Sequence, residues 1–80
     1  MATTSDLDKL RVLLPHWMEH NGEHAAEFRD WAERALLADR EDAAWHIKIA
    51  AERLEQANEA LAAALEKLGG PLKGLDEQPR

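Results

Sequence analysis

Through the first half of the chain, Leu7, Leu10, Leu14, Trp17, Asn21, His24, Phe28, Trp31 and Ala35 follow one another in alternating steps of three and four. This spacing predicts a helix with a coiled-coil-like apolar stripe, broken in its middle by a polar layer at Asn21 and His24. Ser5 suits the N-cap, and Asp6 and Asp8 follow where the helix dipole favours negative charge. The pattern runs to about Leu37. Pro15 removes a backbone donor and disfavours α geometry at Leu14. Either a kink is expected there, or a short helix followed by a new one opening at Pro15.

A second helix is expected after Asp39 as N-cap, with Glu41 and Asp42 in its first turn. It continues through Lys67 and stops at Gly69-Gly70-Pro71. Ile47, Leu54, Leu61 and Leu68 recur every seven residues. Ala50, Ala57 and Ala64 flank them on one side, and Ala51, Asn58 and Leu65 on the other. So wide an alanine-lined face allows close helix approach and suits more than one neighbouring helix. The connection at 38–40 is too short for anything but an antiparallel hairpin. The fold class expected is therefore all-α: a helical hairpin over residues 1–69, with residues 70–80 as a flexible polar tail. Two helices alone cannot enclose this much apolar surface, so a homodimer forming a four-helix bundle is expected.

Composition narrows the chemistry. Of 80 residues, 45% are hydrophobic and 32% charged, too apolar a balance for disorder over most of the chain. There is no cysteine, which excludes disulfides, thiolate metal sites and a cysteine nucleophile. Ten Lys and Arg against 16 Asp and Glu give a formal charge of −6, unfavourable for binding nucleic acid. Charges scattered through Met1 to Leu14 leave no signal-peptide core, and no apolar run is long enough to span a membrane. A soluble, cytoplasmic protein is expected.

The unusual residues are four histidines and three tryptophans. His16, His20 and His24 lie four residues apart, within an arc of about 80° on one helix face. Glu19, Glu23 and Glu27 run beside them. A hairpin folded about 39–40 sets position n opposite position 79−n. That pairs Asn21 with Asn58, and brings His24 beside Glu55 and His20 beside Glu59. Two imidazoles at i and i+4 reach one ion, so the functional expectation is a non-enzymatic metal site. His20 and His24 are its expected ligands, Glu55 or Glu59 completes the set, and Glu23, Glu27 and His16 are additional candidates. Imidazole with carboxylate suits a divalent transition metal, Zn, Ni, Fe, Mn or Cu.

The alternative is a structural or protein–protein interaction module. In it, the buried His/Asn layer only sets register and oligomer state, and the acidic surface or the C-terminal tail docks a protein partner. Trp17, Phe28, Trp31 and Trp45 are expected to pack in the core. His46, near the turn, is expected to lie apart from the other histidines. Enzyme signatures fail. No histidine has a glutamate three residues before it, so the Glu-x-x-His pattern of ferritin-like di-iron proteins is missing. The string His20-Asn21-Gly22-Glu23-His24 fits an inverted zincin motif literally, without the large scaffold or third ligand of those proteases.

Overall fold

The structure is a computed structural model describing residues 4–72. Helix α1 spans Thr4–Leu37 and α2 spans Glu41–Lys67, and the two pack antiparallel as an all-helical hairpin. Neither helix is long and apolar enough to cross a membrane. Helix α1 starts at Thr4, so Ser5 lies inside it and not at the expected cap. Pro15 also lies inside α1, which runs past it unbroken. The missing N–H leaves the Arg11 carbonyl without its usual donor four residues on. That local loss is outweighed by helical pattern and tertiary contact on both sides.

Both helices end in the same way. At the turn, Asp39 adopts a left-handed conformation with φ 67°. Its N–H donates to the Leu36 carbonyl at 3.0 Å, and Arg40 N–H to the Ala35 carbonyl at 2.9 Å. These are the paired bonds of a Schellman ending, and they take Asp39 out of the N-cap role expected for it. Arg40 occupies the cap position of α2 without a side-chain cap bond. Asp42 compensates nearby: its carboxylate accepts from Arg40 Nε at 3.2 Å and from the Ala43 N–H at 2.7 Å. The bond from Arg40, followed by that from Ala43, holds the Asp42 carboxyl below the ordinary aspartate value. A carboxyl depressed in the folded state stabilises the fold above its unfolded pKa, and that contribution is lost as pH falls through the folded value.

At the other end, Gly69 (φ 102°) and Gly70 (φ 86°) repeat the motif. Gly69 N–H donates to Glu66 at 3.0 Å and Gly70 N–H to Leu65 at 2.9 Å. Arg11 then reaches across from α1, donating to the carbonyls of Gly70 at 2.6 Å and Gly69 at 3.2 Å. A cation on the negative end of α2 is favourable for the helix dipole as well. The expected tail beyond residue 72 lies outside the described residues.

The contact between the helices is made of small side chains. The buried residues are Leu14, Ala25 and Ala32 from α1 with Ala44, Ala51 and Leu65 from α2, and Ala51 is 0% exposed. Four of the six are alanines, and among the described residues no large side chain is fully enclosed. This corrects the expectation that the tryptophans form the core: Trp17 is 41%, Trp31 52% and Trp45 63% exposed, while Phe28 is half-buried. Alanine lets two helix backbones approach closely, and a ring at the point of closest approach would push them apart. The line of contact on α1 therefore runs through Ala25 and Ala32, rotated away from the stripe of large residues.

Candidate functional site

Midway along the hairpin, Asn21 Nδ2 donates to Asn58 Oδ1 at 3.1 Å, and Asn58 Nδ2 donates to the Met18 carbonyl at 2.9 Å. The pairing of Asn21 with Asn58 is the one the turn position implies. Both side chains are half-buried, and the bonds between them fix which layer of α1 meets which layer of α2.

The histidines do not join this layer. His16, His20 and His24 are all exposed, and form a ladder with Phe28 up one face of α1. Ring centroids along it are separated by 6.3, 4.6 and 6.1 Å. His20 and His24 share a hydrogen bond between their Nε2 atoms at 3.2 Å, and His24 Nδ1 lies 3.5 Å from Glu27 Oε1. The expected layer of buried His and Asn is thus an asparagine pair alone, with His24 displaced from the seam to the surface.

The carboxylates expected to face the imidazoles are elsewhere. Glu55 Oε1 accepts from Arg29 Nη2 at 2.7 Å. Arg29 and His24 are five residues apart, about 140° around α1, so the side of α1 that meets Glu55 is not the side carrying His24. Glu59 and Glu23 are exposed, and neither His20 nor His24 makes a hydrogen bond or ion pair with α2 among the described residues. His46 is fixed locally, with Nδ1 2.9 Å from the Asp42 carbonyl. Among the described residues, no group of three or more His, Asp or Glu side chains is placed to hold a metal ion. This overturns the expected function of holding a divalent transition metal through His16, His20, His24, Glu23, Glu27, Glu55 and Glu59. The register of Asn21 with Asn58 sets His24 level with Glu55, but the angle around α1 carries His24 away from the side that meets Glu55.

The contact between Arg29 and Glu55 orients the whole hairpin. Arg11 and Arg29 are eighteen residues apart, about five full turns, and so share one flank of α1. Arg11 meets the end of α2 and Arg29 meets Glu55, which makes this the charged side of the molecule. It also carries an open groove of about 540 Å³ near the turn, between Glu33, Leu36, Trp45 and Lys48. On the other flank of α1 stand Leu10, Leu13, Trp17, Phe28 and Trp31, each about 40–100° around the helix from the buried line. On α2, Ile47, Leu54, Leu61 and Leu68 lie about 40–60° from the buried line, on the flank away from Glu55. Since the charged flanks adjoin, these two apolar flanks adjoin as well. One side of the hairpin is tied by charge beside the open groove, and the other presents a broad face of large apolar side chains interrupted by His24.

In that face, Leu10, Leu13, Trp17 and Trp31 are exposed, and Phe28, Ile47, Leu54, Leu61 and Leu68 are half-buried. Most of the large residues in the stripes seen in the sequence belong to this face, while Leu14 and Leu65 lie at the contact. On the opposite side, Glu55 is expected from the sequence only as a metal ligand, and Arg11 and Arg29 belong to no motif. The only available signal was the eighteen-residue spacing of the two arginines.

The family described as Domain of unknown function (DUF8180) matches residues 10–68. A protein of Archaeoglobus fulgidus described as uncharacterized is 33% identical over 63 residues, covering 79% of this chain and the whole of that protein. No solved structure matches the chain.

Proposed function

The chain belongs to the family described as Domain of unknown function (DUF8180), and we propose that it works by self-association, as a homodimer in which two hairpins form a four-helix bundle through their apolar sides. One observation carries this reading. The hairpin buries alanines at its contact and leaves Leu10, Leu13, Trp17 and Trp31 exposed together on one side. Large contiguous apolar patches on small proteins mark association surfaces, and aromatic residues supply most of the binding energy there. Two helices with an alanine core bury too little apolar surface to be comfortably stable alone, and a second copy supplies what is missing. The family match spans both helices and the turn. The Archaeoglobus fulgidus relative is matched over its whole length by 63 residues, which supports the hairpin as the working unit.

Sedimentation equilibrium from about 1 to 100 μM, a range bracketing micromolar affinity, tests the reading. The expected result is a mass moving to twice the 9.0 kDa of the chain, with a melting temperature that rises with protein concentration. A folded species of single-chain mass at every concentration overturns it.

A further inference from the structure

Resting on that self-association, we propose an arrangement for the pair. The two copies pack with their turns at the same end, α1 of each copy lies on α2 of the other, and Glu27 of one faces Arg53 of the other.

The first support is volume. On the apolar side, α1 contributes Leu13, Trp17, Phe28 and Trp31, whereas α2 contributes Ile47, Leu54, Leu61 and Leu68 next to the contact and, further out, the seven-residue row Ala43, Ala50, Ala57 and Ala64. Ala57 and Ala64 are exposed in the single hairpin, with nothing of their own chain above them. Interiors pack to crystal-like density, with large residues seated against small ones. Laying α1 of one copy on α2 of the other sets Trp17 level with Ala64, and Phe28 and Trp31 level with Ala50. The other symmetric choice, turns at opposite ends with α1 on α1, sets the large side chains of α1 against one another, Phe28 at the level of Leu13 and Trp31 at that of Leu10, and the outer alanine rows against each other. That arrangement crowds the α1 seam and fills the α2 seam less well.

Charge is the second support, and it is independent of the first. Glu27 stands five residues before the buried Ala32, and Arg53 five before Asn58 in the central layer. Each is therefore about 140° from its own helix's contact line in the same sense, at the outer rim of the apolar side. The register set by Asn21 and Asn58 also places residue 27 level with residues 52 and 53. A two-fold axis parallel to the helices preserves levels, so each Glu27 meets an Arg53 of the other copy, twice per dimer. Within a single chain, Arg53 makes no hydrogen bond or ion pair among the described residues. Glu27 touches only the exposed His24, at 3.5 Å. Turns at opposite ends would bring Glu27 to the level of Leu13 and His16, and Arg53 to that of Ala60 and Ala63, where neither finds an opposite charge.

Charge reversal tests the arrangement on the intact chain. Glu27→Arg and Arg53→Glu are both at exposed positions, where substitution leaves the hairpin folded. In low salt each variant alone carries two like-charge contacts per dimer, and is expected to dissociate about ten-fold more readily than the wild type. An equimolar mixture restores opposite charges at both contacts and is expected to associate as tightly as the wild type. At about 1 M salt the three samples converge. A wild type that dimerises while the mixture is no tighter than its components overturns the arrangement and leaves self-association standing. A wild type that stays monomeric overturns self-association itself. A second measurement uses a nitroxide on Ala38→Cys at the turn. Turns at the same end put the two labels within about 30 Å, and turns at opposite ends separate them by about 50 Å, the length of α1.

Discussion

Along one side of the hairpin the helices are tied by Arg29 to Glu55 and by Arg11 to the end of α2. Along the other they present Leu10, Leu13, Trp17 and Trp31 to the outside. Both flanks adjoin the same alanine contact, yet they answer to different partners. The charged side ties the helices within one chain, through Arg29 with Glu55 and Arg11 with Gly70, beside a groove where Leu36 and Trp45 stay exposed. Completion of the apolar side requires another surface, because alanines at the contact keep the large residues from turning inward. A short chain thus separates the interactions that define its own register from those that join it to a second copy.

The largest expected effect falls on the apolar side. Trp31→Glu puts a charge into that face on the turn side, and is expected to weaken association by about 100-fold or more, read from sedimentation. An unchanged mass distribution would show the two sides to be equivalent, and the comparison would collapse. Next comes one substitution at two alanines. Ala51→Leu overfills the contact inside the hairpin and should cost about 1–3 kcal/mol in urea unfolding. Ala57→Leu, exposed on α2, should leave the far-ultraviolet spectrum of the hairpin unchanged and alter the dimer alone. Equal losses at both positions would erase the distinction between inner contact and outer face.

Asn58→Ala is expected to cost about 1–3 kcal/mol, because Asn21 and the Met18 carbonyl lose their partner together. Replacing both Asn21 and Asn58 by leucine should recover stability while loosening register, visible as a broadened distance distribution between labels on the two helices. The smallest change belongs to the charged side. Arg29 and Glu55 are about half exposed, so Arg29→Ala should cost under about 1 kcal/mol, an effect that fades as salt is added. A loss several-fold larger would make this ion pair the main tie of the hairpin.

Much of this architecture is legible in the residues. The helix ends at Leu37 and Lys67, the turn and the pairing of Asn21 with Asn58 follow from periodicity, from Gly69-Gly70, and from counting outward from the turn. The side of each helix that meets the other is harder to read. Counting gives level but not angle, and His24 stands about 140° around α1 from Arg29, the residue that meets Glu55. The large-residue stripe also misleads, since hydrophobic spacing marks every surface to be buried without saying by what. In α1 only Leu14 and Asn21 of that stripe reach the contact, beside Ala25 and Ala32, and its rings stand on the face left open. Asp39 is a similar case: aspartate is a good N-cap residue and is also tolerated in the left-handed conformation, and here the ending of α1 claims it first.

The clasp of Arg11 on Gly70 joins positions 59 apart in the chain, against 26 for Arg29 with Glu55 and 37 for Asn21 with Asn58. A hairpin of this kind closes from its turn outward, each contact shortening the loop that the next must close. Opening should run in reverse. Amide hydrogen exchange is then expected to be slowest in the turns of helix nearest residues 32–51 and progressively faster toward both chain ends. Loss of the Arg11 guanidinium would quicken exchange at the open end first, and the region around Ala51 last.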